Sequence, residues 1–355
     1  MAGLARAEMG LLQRGCLHLV SVEYHDDLNI VQGDPALRAL LCPDEAAAPF
    51  DRLAWWQALA EECGILPLIA VARDGDDRAV LALMRKGRRI EALANWYTFW
   101  VRPIVSPRAN ADHLLTAMAR DLIGEAPRIT LSPLPDEQQE TSRLAAAFRK
   151  AGWLVFRAII DTNHVLSVAG RNFAEYMEGR PGPLRTTLKR KGGKVTIRLE
   201  TAFSQSAWQA YEQVYAQSWK PEEGSPAFLR RFAAEEGTAG RLRLGLAFAE
   251  GQPVAAQFWT VEGGTAFIHK LAHTEASKAI SPGTTLSAAL FEHVIDTDKV
   301  SLVDFGTGND GYKRDWMEAQ RPRYSLDMLR PGWPGNWPTI ARHLLRRLAG
   351  RINHG

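Results

Sequence analysis

Residues 278–316 read KAISPGTTLSAALFEHVIDTDKVSLVDFGTGNDGYKRDW, and they are the most informative part of the sequence. Ser281 is a good helix N-cap, Pro282 suits the first helical position, and Gly283 lets a ligand approach the backbone closely. Apolar residues then recur at spacings of three and four, which predicts a helix over 283–296 with one buried face. A helix start of this kind favours a phosphate or another anion, because its first N–H groups are unpaired and lie at the positive end of the helix dipole.

A strand and a glycine-rich turn follow this helix. The strand is predicted over 300–305, and the turn then leads to Tyr312 and Lys313. Two polar loops are therefore expected near the same edge of one sheet, which is the outline of a ligand site. Each part also has an ordinary interpretation: Ser-Pro-Gly is a common helix start, a Gly-x-Gly turn is a weak signal, and Lys313 and Arg314 could simply be solvated.

The rest of the chain reads as two α/β units of comparable size. In the first half we predict helices over 51–63, 111–123 and 136–151, and strands over 66–72, 79–85, 128–132 and 153–160, with a strand followed by a loop over the aromatic-rich residues 93–99. In the second half we predict helices over 173–178, 184–191, 205–219 and 227–235, and strands over 242–249, 254–261 and 266–271. Short glycine-containing turns join these last three strands, which predicts an antiparallel meander in a mixed sheet with helices on its faces.

Composition is that of a globular protein with two domains of ordinary size. The 355 residues are 46% hydrophobic and 23% charged, and the formal net charge of +3 is too small to indicate nucleic-acid binding by the protein as a whole. Charge is nevertheless uneven, because the seven Lys and Arg residues from Arg180 to Arg198 have no acid among them. No segment reads as a membrane span, and the first residues lack the apolar region of a signal peptide.

The three cysteines, Cys16, Cys42 and Cys63, are widely spaced and match no zinc-binding pattern. Free thiols in a reducing compartment fit this usage best. We therefore expect a cytoplasmic protein.

Short motifs along most of the chain resemble one family. They are LRTTLKRK (184–191), RLRLGLAF (241–248), GQPVAAQF (251–258), SPGT (281–284), DFG (304–306), YKRDW (312–316), PFDRLAWW (49–56) and ANWYT (94–98). Through them, residues 161–330 resemble the C-terminal half of the CelD/BcsL-type acyltransferases, and residues 49–105 resemble the first half. That family is a branch of the GNAT (Gcn5-related N-acetyltransferase) superfamily, close to the FemAB peptidyl transferases.

The resemblance implies an α/β (α+β) fold of two tandem GNAT-like domains, each with a mixed, largely antiparallel sheet flanked by helices. It places a degenerate GNAT-like domain at 1–160 and the GNAT acyltransferase domain at 161–335. A basic helix is expected over 336–355.

The implied activity is transfer of an acyl group, most simply acetyl, from acyl-CoA to an amine or hydroxyl of a cell-envelope or exopolysaccharide precursor. The acceptor attacks directly, without a covalent enzyme intermediate. No metal is implied, and His269 and His273 have no carboxylate or cysteine at ligand spacing. The expected substrates are acyl-CoA and a small-molecule or lipid-linked saccharide.

The resemblance also assigns residues to the cosubstrate and to catalysis. The pyrophosphate of coenzyme A is expected at the helix start, with the binding residues Lys278, Ser281, Gly283, Thr284 and Thr285. Here Lys278 stands where related acetyltransferases carry Gln or Arg, Ser281 replaces the first glycine of their phosphate loop, and Pro282 removes one N–H donor.

For catalysis, Lys313 matches the position that steadies developing charge in FemAB-like transferases. Tyr312 is the expected general acid and Asp304 the orienting group or base. The alternatives are that Asp304 caps the glycine turn and that Tyr312 is a packed aromatic residue.

Two basic segments have two interpretations each. Arg185, Lys189 and Arg190 could clamp a polyanionic substrate, or lie on a solvated helix. The arginine-rich tail could, with Trp333 and Trp337, contact the anionic inner leaflet of the membrane. It could instead be a surface helix whose apolar side is formed by Ile340, His343, Leu344 and Leu348.

Two other functions stay open. A FemAB-like transferase would take its acyl group from aminoacyl-tRNA, and its tRNA affinity would fall steeply with salt. A catalytically inactive GNAT-fold scaffold would instead bind proteins of polysaccharide biosynthesis, and the departures at Lys278, Ser281 and Pro282 motivate it.

Overall fold

The computed structural model describes residues 20–43, 46–308 and 310–352, apart from the side chains of 347 and 349–352. Its helices are α1 (Leu28–Gly33), α2 (Pro35–Leu41), α3 (Leu53–Cys63), α4 (Ala111–Glu125), α5 (Glu140–Lys150), α6 (Phe173–Glu178), α7 (Gly182–Lys191), α8 (Gln205–Ala216), α9 (Pro226–Thr238), α10 (Pro282–Glu292), α11 (Lys313–Trp316) and α12 (Trp337–Ile352). Its strands are β1 (Ser21–His25), β2 (Pro67–Asp74), β3 (Asp77–Lys86), β4 (Arg89–Ala92), β5 (Ile104–Val105), β6 (Arg128–Leu134), β7 (Leu154–Ser167), β8 (Thr196–Glu200), β9 (Leu242–Ala249), β10 (Gln252–Glu262), β11 (Thr265–His273), β12 (Leu302–Thr307) and β13 (Ala319–Leu329).

All the strands of the described residues belong to one sheet. Their order is β1-β2-β3-β4-β6-β13-β7-β12-β11-β10-β9-β8, and β5 pairs with β3 at the side. Two neighbouring pairs are parallel, β4 with β6 and β11 with β12, and the others are antiparallel. The predicted mixed, largely antiparallel sheet is therefore confirmed.

The two halves repeat the same order of elements. Each half has an antiparallel meander (β2-β3-β4 or β9-β10-β11), then a helix (α4 or α10), then a strand parallel to the last strand of the meander (β6 or β12). The predicted fold class of two tandem α/β units is therefore confirmed.

Two long central strands belong to both halves. β7 has 14 residues and β13 has 11, and they pair along the whole of β13. β13 also pairs with β6 of the first half, whereas β7 pairs with β12 of the second. The sheet is thus continuous across residue 160, and β13 is a strand that the sequence did not predict.

Aromatic side chains of the two halves pack against each other. The indole of Trp55 on α3 packs edge-on against Phe228 and Phe232 of α9, with ring centroids 4.9 Å apart in both cases. For residues 93–99 the sequence predicted a strand followed by a loop, but the structure has no strand there. Tyr97 in this segment stacks on Phe228 at 5.2 Å, so its aromatic residues serve a packed loop that reaches the other half.

Candidate active site

The candidate site lies where the parallel strands β11 and β12 separate. Their residues pair from Thr265 with Leu302 to Phe267 with Asp304, and no further residues of the two strands pair beyond this point. A cavity of about 220 Å³ lies between the separated segments, lined by Ile268–Leu271 on one side and by Phe305–Thr307 on the other. We call this cavity the cleft. Within the described residues no strand pairs with β11 on its cleft side beyond Phe267, so backbone polar groups there are available to a ligand.

A bulge shapes the β11 wall of the cleft. The register with β10 passes from Trp259 opposite Ile268 to Phe258 opposite Lys270, which leaves His269 as an extra residue. Nε2 of His269 lies 2.8 Å from Oγ1 of Thr260. Burial lowers the pKa of His269 to about 3, so its imidazole is neutral at physiological pH.

The glycine turn after β12 depends on Asp304 and on a ring of the first half. The buried carboxylate of Asp304 accepts hydrogen bonds from Gly306 N at 2.7 Å and Asn163 Nδ2 at 2.9 Å, and burial raises its pKa. Gly306 has a φ of +65°, and a Cβ on it would lie 2.9 Å from Cζ of Phe99. Asp304 is not among the residues that line the cleft, so its contacts are those of the turn-capping alternative.

The side chain of Lys313 is buried at the wall of the cleft. Its Nζ donates to the carbonyl oxygens of Phe305 at 3.1 Å, Gly306 at 3.5 Å and Thr307. Burial lowers the pKa of Lys313, while the carboxylate of Asp310 acts in the opposite direction. Because its three donors all meet carbonyls, the ammonium group is a fixed positive charge and not a free base.

Tyr312 also lines the cleft, and 38% of its surface is exposed. Its ring packs edge-on against Phe305 at 5.7 Å. Burial, helped by Asp310, raises the pKa of Tyr312 to about 12. The hydroxyl therefore keeps its proton at physiological pH and can donate it to a group in the cleft.

The structure adds an ion pair that sequence reasoning missed. Nζ of Lys270, on the cleft wall, lies 2.9 Å from Oε2 of Glu223 in the loop between α8 and α9. The hydroxyl of Tyr97 donates to the same carboxylate, and the Lys270 ammonium lies 4.6 Å from the centre of the Tyr97 ring. Since the three residues come from distant segments, no local spacing in the sequence could reveal them.

A second cavity adjoins the cleft. It has a volume of about 510 Å³ and lies between α8, α9 and the loop that joins them. Its lining includes Trp208, Tyr211 and Leu229, together with Tyr215 and Lys220, which also line the cleft. We call it the aromatic hollow. The hollow and the cleft are thus neighbouring cavities with two lining residues in common.

The predicted cosubstrate residues lie around the start of α10, which follows β11 through a short 3-10 helix. Ser281 has a left-handed backbone (φ 53°) and does not cap the helix with its side chain, because its Oγ instead accepts from Nζ of Lys191 at 3.0 Å. A Cβ on Gly283 would lie 3.5 Å from Cδ2 of His273. Thr284 is half-buried and Thr285 is buried.

The other predicted ligands of anions are exposed. They are Lys278 in the 3-10 helix and Arg185, Lys189 and Arg190 on α7. Of the basic run, Lys191 is the residue that the structure brings to the helix start. The described residues contain no group of three or more His, Cys, Asp and Glu that could hold a metal ion.

Comparison with known proteins finds a family match within the second half. Residues 184–314 match the model of the acetyltransferase (GNAT) domain. This GNAT match contains α10 and both strands of the cleft, and it ends just after Lys313. None of the curated proteins matches the chain by sequence.

Solved structures share the fold over both halves. FemX has a TM-score of 0.59 at 9% identity, with 87% of this chain and 98% of FemX covered. L-PGS from Bacillus licheniformis has a TM-score of 0.55 at 16% identity, with 90% and 97% covered. The C-terminal domain of a putative lysylphosphatidylglycerol synthetase from Agrobacterium fabrum has a TM-score of 0.52 at 13% identity, with 77% and 85% covered. At these identities the likeness shows the fold alone. None of the helices among the described residues is both long and apolar enough to cross a bilayer.

Proposed function

We propose that the protein is an acyltransferase that uses an acyl-CoA thioester and binds its reacting groups in the cleft. Two features carry this proposal, and both lie inside the segment that matches the GNAT domain. β11 and β12 separate beyond Phe267, and the start of α10 follows β11 in the chain. A strand edge without a partner and a helix N-terminus together suit a thioester that carries a phosphorylated group.

The residues at the start of α10 fit such a phosphorylated group. Among the described residues no side chain caps this helix, so its first amides have no side-chain acceptor. Lys191 adds a positive charge beside Ser281, and Gly283 keeps the helix start free of a side chain. The first turn of α10 and Lys191 would therefore hold the pyrophosphate of coenzyme A.

The chain's own groups would assist transfer in three ways. A bound acyl-CoA supplies the activated thioester. Backbone N–H groups of β11 at the bulge would polarise the acyl carbonyl, and the fixed charge of Lys313 would lower the cost of the negative charge that develops there. Tyr312 would give its proton to the departing thiolate.

The acceptor would enter through the aromatic hollow, which shares Tyr215 and Lys220 with the cleft. Stacking surfaces and carboxylates suit a saccharide amine or hydroxyl of a cell-envelope or exopolysaccharide precursor, which the CelD/BcsL-type resemblance suggests. The acyl group would most simply be acetyl.

Thermal unfolding with acetyl-CoA and with free coenzyme A tests the donor. Ligand at about 100 times its dissociation constant should stabilise the protein by roughly 2.7 kcal/mol. Gly283→Trp should lose this shift, because the indole would fill the helix start. Gly124→Trp is the matched control, since Gly124 is exposed on α4 with no atom within 4 Å of the position of its Cβ. No shift with either ligand in the unaltered protein would contradict the proposal.

One observation favours a FemAB-like aminoacyl transferase as a second candidate. Arg185, Lys189 and Arg190 are exposed on α7, whose last residue Lys191 lies at the start of α10, so a polyanion such as tRNA could extend from there. The names of the L-PGS relatives also point to transfer of an amino acid. Filter binding of aminoacyl-tRNA over a salt series separates the candidates, because phosphate contacts give a steep loss of affinity with salt. An inactive scaffold would bind neither donor.

A further inference from the structure

Helix α12 is held against the sheet by one side. At its start, Nδ2 of Asn336 donates to the carbonyl of Pro127 at 2.7 Å. Further along, Nε2 of His343 lies 2.8 Å from Oδ2 of Asp327, and the His343 ring stacks on Phe156 with centroids 4.2 Å apart. These contacts fix which side of the helix faces the protein.

The apolar side of α12 faces away from the protein. The exposed fractions are 60% for Trp337, 49% for Leu344, 66% for Leu345 and 57% for Leu348. At about 100° per residue these four side chains lie within one arc of roughly 100°, and His343 lies on the opposite side of the helix. The structure has the expected surface helix, with Ile340 and His343 half-buried, but Leu344 and Leu348 of its expected apolar side are exposed. An amphipathic helix of a globular protein ordinarily turns its apolar side inward.

The charge beside this apolar side is positive. Arg342 is exposed about 60° from the edge of the apolar arc, and no acidic residue follows Asp327 in the sequence. Two copies of the helix packed through their apolar sides would bring two positively charged helices together, which disfavours self-association. Apolar side chains with a flanking arginine instead suit the boundary between anionic headgroups and acyl chains.

We propose that α12 binds an anionic membrane surface, with Trp337, Leu344, Leu345 and Leu348 inserted and Arg342 on the headgroups. This would hold the protein at a bilayer without a spanning segment. The inference goes beyond the transferase proposal, and it does not depend on it, since the vesicle experiment contains no acyl donor.

Vesicle flotation with the full chain tests the proposal. The vesicles are phosphatidylcholine alone, or phosphatidylcholine with a quarter of phosphatidylglycerol, at low and high salt. We expect flotation with the anionic vesicles, weaker flotation at high salt and little with the neutral ones. Arg342→Gln should lower the partition coefficient about fivefold, because each basic residue near an anionic surface contributes a factor of about five.

Leu345→Glu with Leu348→Glu should abolish flotation, because it places charge in the acyl-chain region. Leu66→Glu is the matched control: Leu66 is 75% exposed and lies far from α12 in sequence, just before β2. Each variant is first shown to melt like the unaltered protein. The proposal is overturned by absent or salt-insensitive flotation, or by an equal loss in Leu66→Glu. A concentration-dependent dimer that Leu345→Glu with Leu348→Glu dissociates, without vesicle binding, would assign the helix to a second copy instead.

Discussion

Lys270 and Glu223 form an ion pair, 2.9 Å between Nζ and Oε2, where the cleft meets the aromatic hollow. Burial lowers the pKa of Lys270, and the Glu223 carboxylate opposes that effect. The pair also fixes the loop between α8 and α9 on β11. It therefore couples the shape of the hollow to the strand that walls the cleft.

Glu223→Gln should destabilise the protein by about 1–3 kcal/mol, because it leaves a largely buried ammonium without its carboxylate. The pKa of Lys270 should fall further. Lys270→Met in the same chain should recover part of the loss, and urea unfolding of both single variants and the double variant gives the coupling energy. Additive single effects would show that the pair contributes nothing.

His269→Gln should change how stability depends on pH. Burial lowers the pKa of His269 to about 3, so between pH 6.5 and pH 3 the unfolded chain binds a proton there and the folded protein does not. The free energy of unfolding therefore falls as pH falls, by up to about 1.4 kcal/mol per pH unit from this residue. The variant keeps a partner for Thr260 and does not titrate, so its curve should be flatter in this window. If the unfolding free energies of the variant and the unaltered protein changed equally with pH, the lowered pKa of His269 would be contradicted.

Lys313→Met should cost about 2–4 kcal/mol of unfolding free energy, because it removes the shared donor of three turn carbonyls. Turnover should fall more than stability explains, since the fixed charge is lost. Lys313→Arg keeps the charge and should recover part of both quantities. Unchanged turnover in Lys313→Met would remove Lys313 from the reaction.

Tyr312→Phe should lower turnover by roughly 10²–10⁴-fold if its hydroxyl is the general acid, with acetyl-CoA affinity little changed. Release of thiol from acetyl-CoA, measured with a saccharide acceptor, gives the rate. Tyr24→Phe is the control, because the hydroxyl of Tyr24 bonds Asp121 on α4, in the other half. A rate equal to that of the control would leave Tyr312 the role of a packed aromatic residue.

Lys191→Met should weaken acetyl-CoA binding about fivefold, the effect of one partly exposed charge-assisted hydrogen bond of ~1 kcal/mol. Lys189→Met removes an exposed lysine of the same helix and should leave the affinity unchanged. Titration calorimetry measures both. If Lys189→Met weakened acetyl-CoA binding more than Lys191→Met, the anion would instead lie on the outer face of α7.

Residues 278–316 show what local pattern can predict. The helix over 283–296 and the strand over 300–305 follow from apolar spacing, and the structure has α10 and β12 there, with one π-helical turn ending the helix. The left-handed backbone of Ser281 does not follow from its residue type, since φ values above zero are rare for serine. The turn at Ser281 therefore depends on tertiary structure.

Longer-range features escaped sequence reasoning for a physical reason. β13 contains Arg321, Pro322 and Arg323, for which the sequence predicted no strand. These residues pair with β7, and the later part of β13, from Tyr324 onward, pairs with both β6 and β7. Lys270 and Glu223 are likewise 47 residues apart. Lys313 and Tyr312 could be singled out because they follow a recognisable strand and turn.

The position of β13 between β6 and β7 has a consequence for synthesis on the ribosome. The first half of the chain emerges with a gap in its sheet, and this gap is filled only when residues 319–329 have been made. The first half therefore cannot complete its sheet before β13 has been made. Until residues 319–329 have been translated, the facing edges of β6 and β7 stay uncovered.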